Sequence, residues 1–523
     1  MDLIARRALL VGGGALALAG YAGGVWAAPT FSGSPFTLGV AAGDPAPDGF
    51  VIWTRLAPRP LEEHGGMPPL GVVVRWEVAE DARFARIARS GEALARPELA
   101  HSVHVEVGGL QPGRPYWYRF QVQGADASPV GMARSAPRAG DLPARLRLAS
   151  AGCQHYQAGL FTAWRHLSEE ADLDAVFHYG DYIYEGGTPA NPPQIVDAAG
   201  RPIDRRHVGG EIYSLGDYRR RYAQYKTDPD LQAAHAAAAF IVSFDDHEVD
   251  NNWASDFDQD GTPPELFLLR RMAAMQAWYE HMPVRRAQFP HGGRAAMFRR
   301  LDYGRLLRMH VLDTRSYRSD QVCEREGQVA CRPHDDPHST MLGAQQEAWL
   351  AAGLRNSAGW NLIAQQVFVM PTRRRLPDGS LMQGGSDTWN GYPAARARLV
   401  KAIGDAGLTN VVVASGDAHI HAVGSIPLRD DEPDGPAAAV EFLATSISSG
   451  GDGAAETEGT RALLAGSPTM RLVNAQRGFQ VFDVSPTEWT TQVKVVDRVQ
   501  SPDGSLSTLG RFSVRPHRSE LNG

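Results

Sequence analysis

The sequence predicts an α/β (α+β) chain: a layered domain in which strands alternate with helices, preceded by a small all-β domain of immunoglobulin or fibronectin kind. Three observations predict it. Short strand-like runs separated by turn signals fill residues 36–138. From Arg145 onward, apolar runs alternate with helical patterns, the mark of an α/β layered domain. A length of 523 residues with 43% hydrophobic and 21% charged residues gives room for two domains, one of them large, and argues against long disorder.

The elements follow in chain order. Residues 1–28 read as an export signal: Arg6-Arg7, an apolar stretch from Ala8 to Val25, then Ala27-Ala28 before Pro29. The paired arginines fit a twin-arginine signal, so the twin-arginine export machinery is an expected partner and the periplasm or the exterior the expected location. A retained membrane anchor is the other reading of this stretch. In residues 36–138 the expected strands include Phe50–Trp53, Val72–Val78, His104–Val107 and Tyr116–Val122. The last of these follows the turn Leu110-Gln111-Pro112-Gly113. The main domain is expected over residues 144–515. Pro264 to His281 reads as a helix with Leu266, Leu269, Met272, Met275 and Tyr279 on one face, and Gly343 to Leu354 reads as a second helix. The polar tail after Gln500 carries no strong helical signal.

A net charge of −7 and a pI near 6.2 give no pull toward a nucleic-acid backbone, so a dedicated DNA or RNA binder is excluded as the leading class. Of the three cysteines, Cys323 and Cys331 lie close together in a loop-like stretch and form a candidate disulfide in an oxidising compartment. Cys153 is then left over and calls for another explanation.

The chemistry sits where predicted strands end. Leu146–Ser150 leads to Cys153-Gln154-His155. Ala175–Tyr179 leads to Gly180-Asp181-Tyr182-Ile183-Tyr184-Glu185. Phe240–Phe244 leads to Asp245-Asp246-His247-Glu248. Met309–Leu312 leads to Asp313-Thr314-Arg315, and Val411–Ser415 to Gly416-Asp417-Ala418-His419-Ile420-His421. In open α/β sheets, ligands bind outside the carboxyl ends of the strands. Carboxylates gathered at such an edge are costly unless paired or coordinated to a cation. Carboxylate and imidazole donors suit hard or borderline ions. A thiolate beside a tyrosinate calls for a strong Lewis acid such as Fe3+, and the remaining oxygen donors suit Ca2+. His247 is a candidate to steady phosphoryl oxygens or the leaving group, and Arg315 to bind phosphate oxygens.

As an ordered set these motifs resemble the PhoD-like family of alkaline phosphatases. The resemblance rests on Gly43-Asp44-Pro45 and Ile52-Trp53-Thr54-Arg55 near the start. It continues through Gly152-Cys153-Gln154, Gly180-Asp181-Tyr182-Ile183-Tyr184-Glu185, Asp245-Asp246-His247-Glu248-Val249, Asp313-Thr314-Arg315 and Gly416-Asp417-Ala418-His419. It implies a metallophosphatase-type layered β-sandwich flanked by helices, related to purple acid phosphatases, and phosphatase and phosphodiesterase activity with Fe3+ and Ca2+. In that reading the metal ligands are Cys153, Asp181, Tyr184, Asp246, Asp417 and His419, with Asp181 bridging. The catalytic residues are His247, Asp246 and Arg315. Gln365-Gln366 is where the remaining motif of the purple-acid pattern is to be sought, and His421 would point with His419 if the two share a strand.

The expected function is therefore an exported, metal-dependent phosphoesterase, acting as a monomer on phosphate monoesters or diesters. A phospholipase D-type lipid phosphodiesterase is the alternative on the same scaffold. A non-catalytic calcium or cell-surface binding protein is the alternative of a different class. The Asp256–Gly261 stretch lacks the spacing of a calcium loop and reads as a solvated turn.

Overall fold

The structure is a computed structural model that describes residues 30–323, 331–355, 358–516 and 518–523. The export-signal reading lies outside the described residues. The N-terminal segment supplies β1 (Val40–Ala46), β2 (Gly49–Arg55), β3 (Val72–Ala79), β4 (Ile87–Ala95), β5 (Ser102–Val107), β6 (Pro115–Val122) and β7 (Gly131–Arg134). In β6 every second residue, from Tyr116 to Val122, is buried and its neighbours are half-exposed, so one face is core and the other is wet. Strands β4-β3-β6-β7 form an antiparallel sheet, and Val74, Val78, Tyr118 and Phe120 pack with Val40, Phe50 and Ile52.

The main region adds β8 (Leu146–Ala151), β9 (Ala175–His178), β10 (Ala239–Val242), β11 (Arg299–Tyr303), β12 (Leu307–Val311) and β13 (Trp360–Ala364). The short β14 (Arg373–Arg375) and β15 (Leu381–Gln383) follow, then β16 (Val411–Ser415), β17 (His421–Pro427), β18 (Ala437–Leu443), β19 (Gly453–Ala454) and β20 (Met470–Val484). Finally come β21 (Trp489–Val496), β22 (Leu506–Arg515) and β23 (Arg518–Asn522), so the polar tail without a helical signal is strand. β1 pairs in parallel with β10, Ala42 opposite Ala239. The N-terminal layer is thus hydrogen-bonded into the main sheet.

Two sheets meet in β20. Its first part pairs with β17 and its second part with β8 and β21. One sheet holds β10, β9 and β8 in parallel, and the other holds β12, β13, β16 and β18 in parallel. Leu148, Phe177, Val412, Ala414, Phe442, Phe482 and Trp489 fill the space between them. Trp164, Tyr222 and Trp278 cover the outer face of the first sheet, and Leu350, Leu399 and Ile403 that of the second. Strands covered on both faces are continuous apolar runs, which is why Val411–Ala414 shows no alternation. The result is the layered sandwich with flanking helices.

The helix Pro264–His281 forms over the expected residues, but its buried face is different. Leu266, Leu269 and Met272 are 55%, 62% and 45% exposed, whereas Phe267, Ala274, Met275 and Trp278 are buried. At about 100° per residue, Leu266 and Met275 stand on opposite sides of the helix, so the expected stripe winds around it. Among the described residues, no helix is long and apolar enough to cross a membrane.

Candidate metal centre

The parallel strands β8, β9, β10, β12 and β16 end on one side of the sandwich, and the loops that follow carry the expected residues. Gly152 and Gly416, just past β8 and β16, hold the Tyr179 ring between them. A Cβ at Gly152 would lie 2.4 Å from that ring, and one at Gly416 2.2 Å. The Tyr179 hydroxyl donates to the Thr445 carbonyl at 2.5 Å. This aromatic contact brings the loops with Cys153, Asp181 and Asp417 together. Cys153, Asp181, Asp417 and His419 have φ of 52°, 55°, 68° and 56°. A side chain in that left-handed region is strained, and such strain collects at functional sites. His419 therefore does not share a strand with His421. His421 opens β17 and its ring meets the Lys494 carbonyl at 3.1 Å, away from the cluster.

Among the described residues, three overlapping groups could hold metal ions. They are Cys153, Asp181 and His419; Asp181, Asp246 and His247; and Asp245, Asp246 and Asp417. In each group the donor atoms lie within 4.8 Å of one another. Tyr184 Oη donates to Asp181 Oδ2 at 2.8 Å and lies 3.1 Å from His419 Nε2. Asp246 accepts from the backbone of His247 at 3.0 Å and of Asn252 at 2.9 Å. His247 Nδ1 meets Glu185 Oε2 at 2.7 Å. Glu248 lies beneath the loops and accepts from the backbone N–H groups of Asp181, Tyr182 and Asp245.

Arg315 is fully buried. Its Nε donates to Asp245 Oδ1 at 2.5 Å and its Nη1 to Asp387 Oδ1 at 2.8 Å, while Nη2 lies 3.8 Å from both Asp246 and Asp417. The guanidinium is thus enclosed by carboxylates, whereas the sequence reading turned it toward a phosphate. Asp313 accepts from the backbone of Arg315 and Ser316 and does not join the cluster. Gln366 Oε1 accepts from the Thr314 backbone at 3.1 Å and hydroxyl at 2.6 Å, a brace between loops. Asp256 pairs with Arg271 at 2.8 Å. Cys323 and Cys331 are joined by a disulfide.

The electrostatics call for positive charge. Burial pushes the Asp181 carboxyl up to about 7, with His247 opposing and Asp246 adding to the rise. Burial likewise carries Asp245 up to about 8 against the pull of Arg315. Burial and Asp181 push the Cys153 thiol and the Tyr184 phenol well up. His247 is held well above its ordinary range: burial opposes this, but Glu185, Asp246 and Asp181 outweigh it. Burial and Arg477 take His419 down to about 3.

Asp181 Oδ1 and Asp245 Oδ2 are buried with no hydrogen-bond partner. Stranding two carboxylate oxygens costs several kcal/mol unless a cation meets them. The donor set fits one: sulfur, phenol and imidazole on the Cys153 side, oxygens alone on the Asp245 side. His419, Asp417 and His247 side chains, 35%, 22% and 19% exposed, mark the open side. Sequence reasoning placed Asp245 and Glu248 in a motif without giving them a role, and did not reach Asp387. Asp245 sits one residue before Asp246, a signal that was at hand. A cavity of about 1040 Å3 opens elsewhere, between β4, β5 and the end of the helix Pro264–His281, and no residue of the cluster lines it.

Comparison with known proteins follows the same lines. Residues 148–493 match the family described as PhoD-like phosphatase, and residues 23–137 its N-terminal domain. The chain is 42% identical to alkaline phosphatase D of Bacillus subtilis (strain 168) over 496 residues, covering 95% of this chain and 83% of that protein. A solved structure titled "Structure of PhoD" superposes with a TM-score of 0.87 at 42% identity, covering 95% of this chain and 93% of that one.

Proposed function

The chain belongs to the PhoD-like phosphatase family and is a phosphoric ester hydrolase, and from that premise we propose that it is an exported, metal-dependent enzyme hydrolysing phosphate monoesters, diesters or both. Its layout would be a signal at 1–28, an immunoglobulin-like domain at 36–138 and a catalytic domain at 144–515. Cys153, Asp181, Tyr184 and His419 would hold Fe3+, and Asp245, Asp246 and Asp417 would hold Ca2+. Bound there, the ions would supply a Lewis acid that activates water and offsets charge on the phosphoryl oxygens. The observation that carries this reading is the pair of buried, partnerless oxygens on Asp181 and Asp245.

The chain's own groups do the rest. Glu185 fixes Nδ1 of His247, which leaves Nε2 at the open side to donate a proton to a phosphoryl or leaving oxygen. Arg315 balances the carboxylates from beneath. Glu248 holds the loops that carry Asp181 and Asp245 in register.

The test is Asp181→Asn in purified protein, assayed on an aryl phosphate, a bis-aryl phosphodiester and phosphatidylcholine, with metal analysis alongside. A loss of about 100-fold or more, together with lost metal, is expected. Full activity in the variant would end the proposal. Turnover of phosphatidylcholine alone would select the phospholipase reading.

A further inference from the structure

The Ser449 hydroxyl occupies a crossing point that the proposed metal centre leaves unexplained. Ser449 Oγ lies 2.6 Å from Tyr184 Oη and 2.7 Å from the Cys153 carbonyl oxygen, and it accepts from His155 N–H at 3.1 Å. Ser449 N–H also reaches the Cys153 carbonyl, at 3.4 Å. The loop is anchored from β20. The buried Arg477 guanidinium donates to Ser446 Oγ and to the carbonyls of Ser449 and Ala475.

Counting protons gives the hydroxyl a task. A serine hydroxyl has one proton and two lone pairs. The Cys153 carbonyl can only accept, so with Tyr184 as a phenol Ser449 donates to it. The phenol meanwhile donates to Asp181 or to Ser449. A phenolate can only accept. Two oxygens 2.6 Å apart with no proton between them would repel, and Ser449 carries the one proton that can fill that gap.

We propose that Ser449 is a positioning residue whose hydroxyl turns from the Cys153 carbonyl to the Tyr184 phenolate when the centre is loaded, with Arg477 fixing the loop. The Ser449 backbone N–H then keeps the Cys153 carbonyl partnered. This rests on the reading above that Tyr184 binds Fe3+ as a phenolate. It assigns the serine to holding the phenolate in place and setting its donor strength, as the outer partners of metal ligands do.

The experiment uses the iron-loaded full chain, its phenolate-to-iron absorption band, and resonance Raman spectra in H2O and D2O. In the parent protein the phenolate C–O stretch should shift in D2O. In Ser449→Ala that isotope shift should vanish and the band should move to longer wavelength, because the donor that lowered the phenolate orbital is gone. Ser446→Ala, which touches Arg477 but not Tyr184, should behave as the parent does. A band with no isotope shift in the parent, which needs no variant, or spectra unchanged in Ser449→Ala, overturns the role of Ser449 and leaves the iron reading standing. A colourless, iron-loaded parent removes both.

Discussion

Stripping the centre of metal should make folding stability fall as pH rises, in a window set by the buried acids. Asp181 and Asp245 titrate near 7 and 8 in the folded protein, against about 4 when unfolded. An acid with a raised folded value contributes stability fully below its unfolded value and loses it as pH climbs to the folded one. His247, held protonated by Glu185 and the carboxylates, carries the same sign above its ordinary range. His155 and His419, taken down to about 3 chiefly by burial, have the opposite sign, but their contribution is complete above about 6.5. From about pH 6.5 to 8 the decline therefore belongs to the acids and His247. At about 1.4 kcal/mol per unit for each group still titrating, Asp181, Asp245 and His247 contribute ~3–5 kcal/mol, and Asp417 and Glu248, also pushed well up by burial, add to it with the same sign. Urea midpoints read by tryptophan fluorescence, with chelator and after reloading with iron and calcium, measure it. The reloaded protein should stay nearly flat, because the ions keep the carboxylates ionised. Equal stability of the stripped protein at both ends of the window, or the same decline in the loaded one, would refute the reasoning.

Two further outcomes follow from the packing. Gly416→Ala should abolish hydrolysis and lower stability by about 1–3 kcal/mol, since its Cβ meets the Tyr179 ring at 2.2 Å; activity and urea midpoint check it. Arg315→Met should cost ~3–5 kcal/mol in stripped protein by leaving Asp245 without counter-charge and Asp387 with Arg318 alone, and less once ions are restored. Equal losses in both states would count against the enclosure of that guanidinium.

Much of this was legible in the sequence, and the limits have physical causes. Strand ends could be read because a doubly covered strand is an unbroken apolar run, and its first polar residue falls at the sheet edge, as with Val411–Ser415 before Asp417. Cys153 and Asp181 lie close behind such runs. Asp387 does not: it arrives from a polar loop and meets Arg315 only through tertiary folding. Ser449 gave no signal either, because its value lies in a 2.6 Å contact with a residue 265 positions away. The helix Pro264–His281 was found from its period but turned wrongly, since steps of three residues drift around the axis. The parallel pairing of β1 with β10 joins residues too far apart for any local pattern to announce.

The sharing of β20 has a mechanical consequence. A strand woven into both sheets by its backbone ties them as one body, so they cannot part like the halves of a shell. Under the proposed function, substrate would come to a fixed mouth beside His247, Asp417 and His419. Selectivity then rests on the side chains around that mouth and on the rim loops, with no wholesale opening of the scaffold to help.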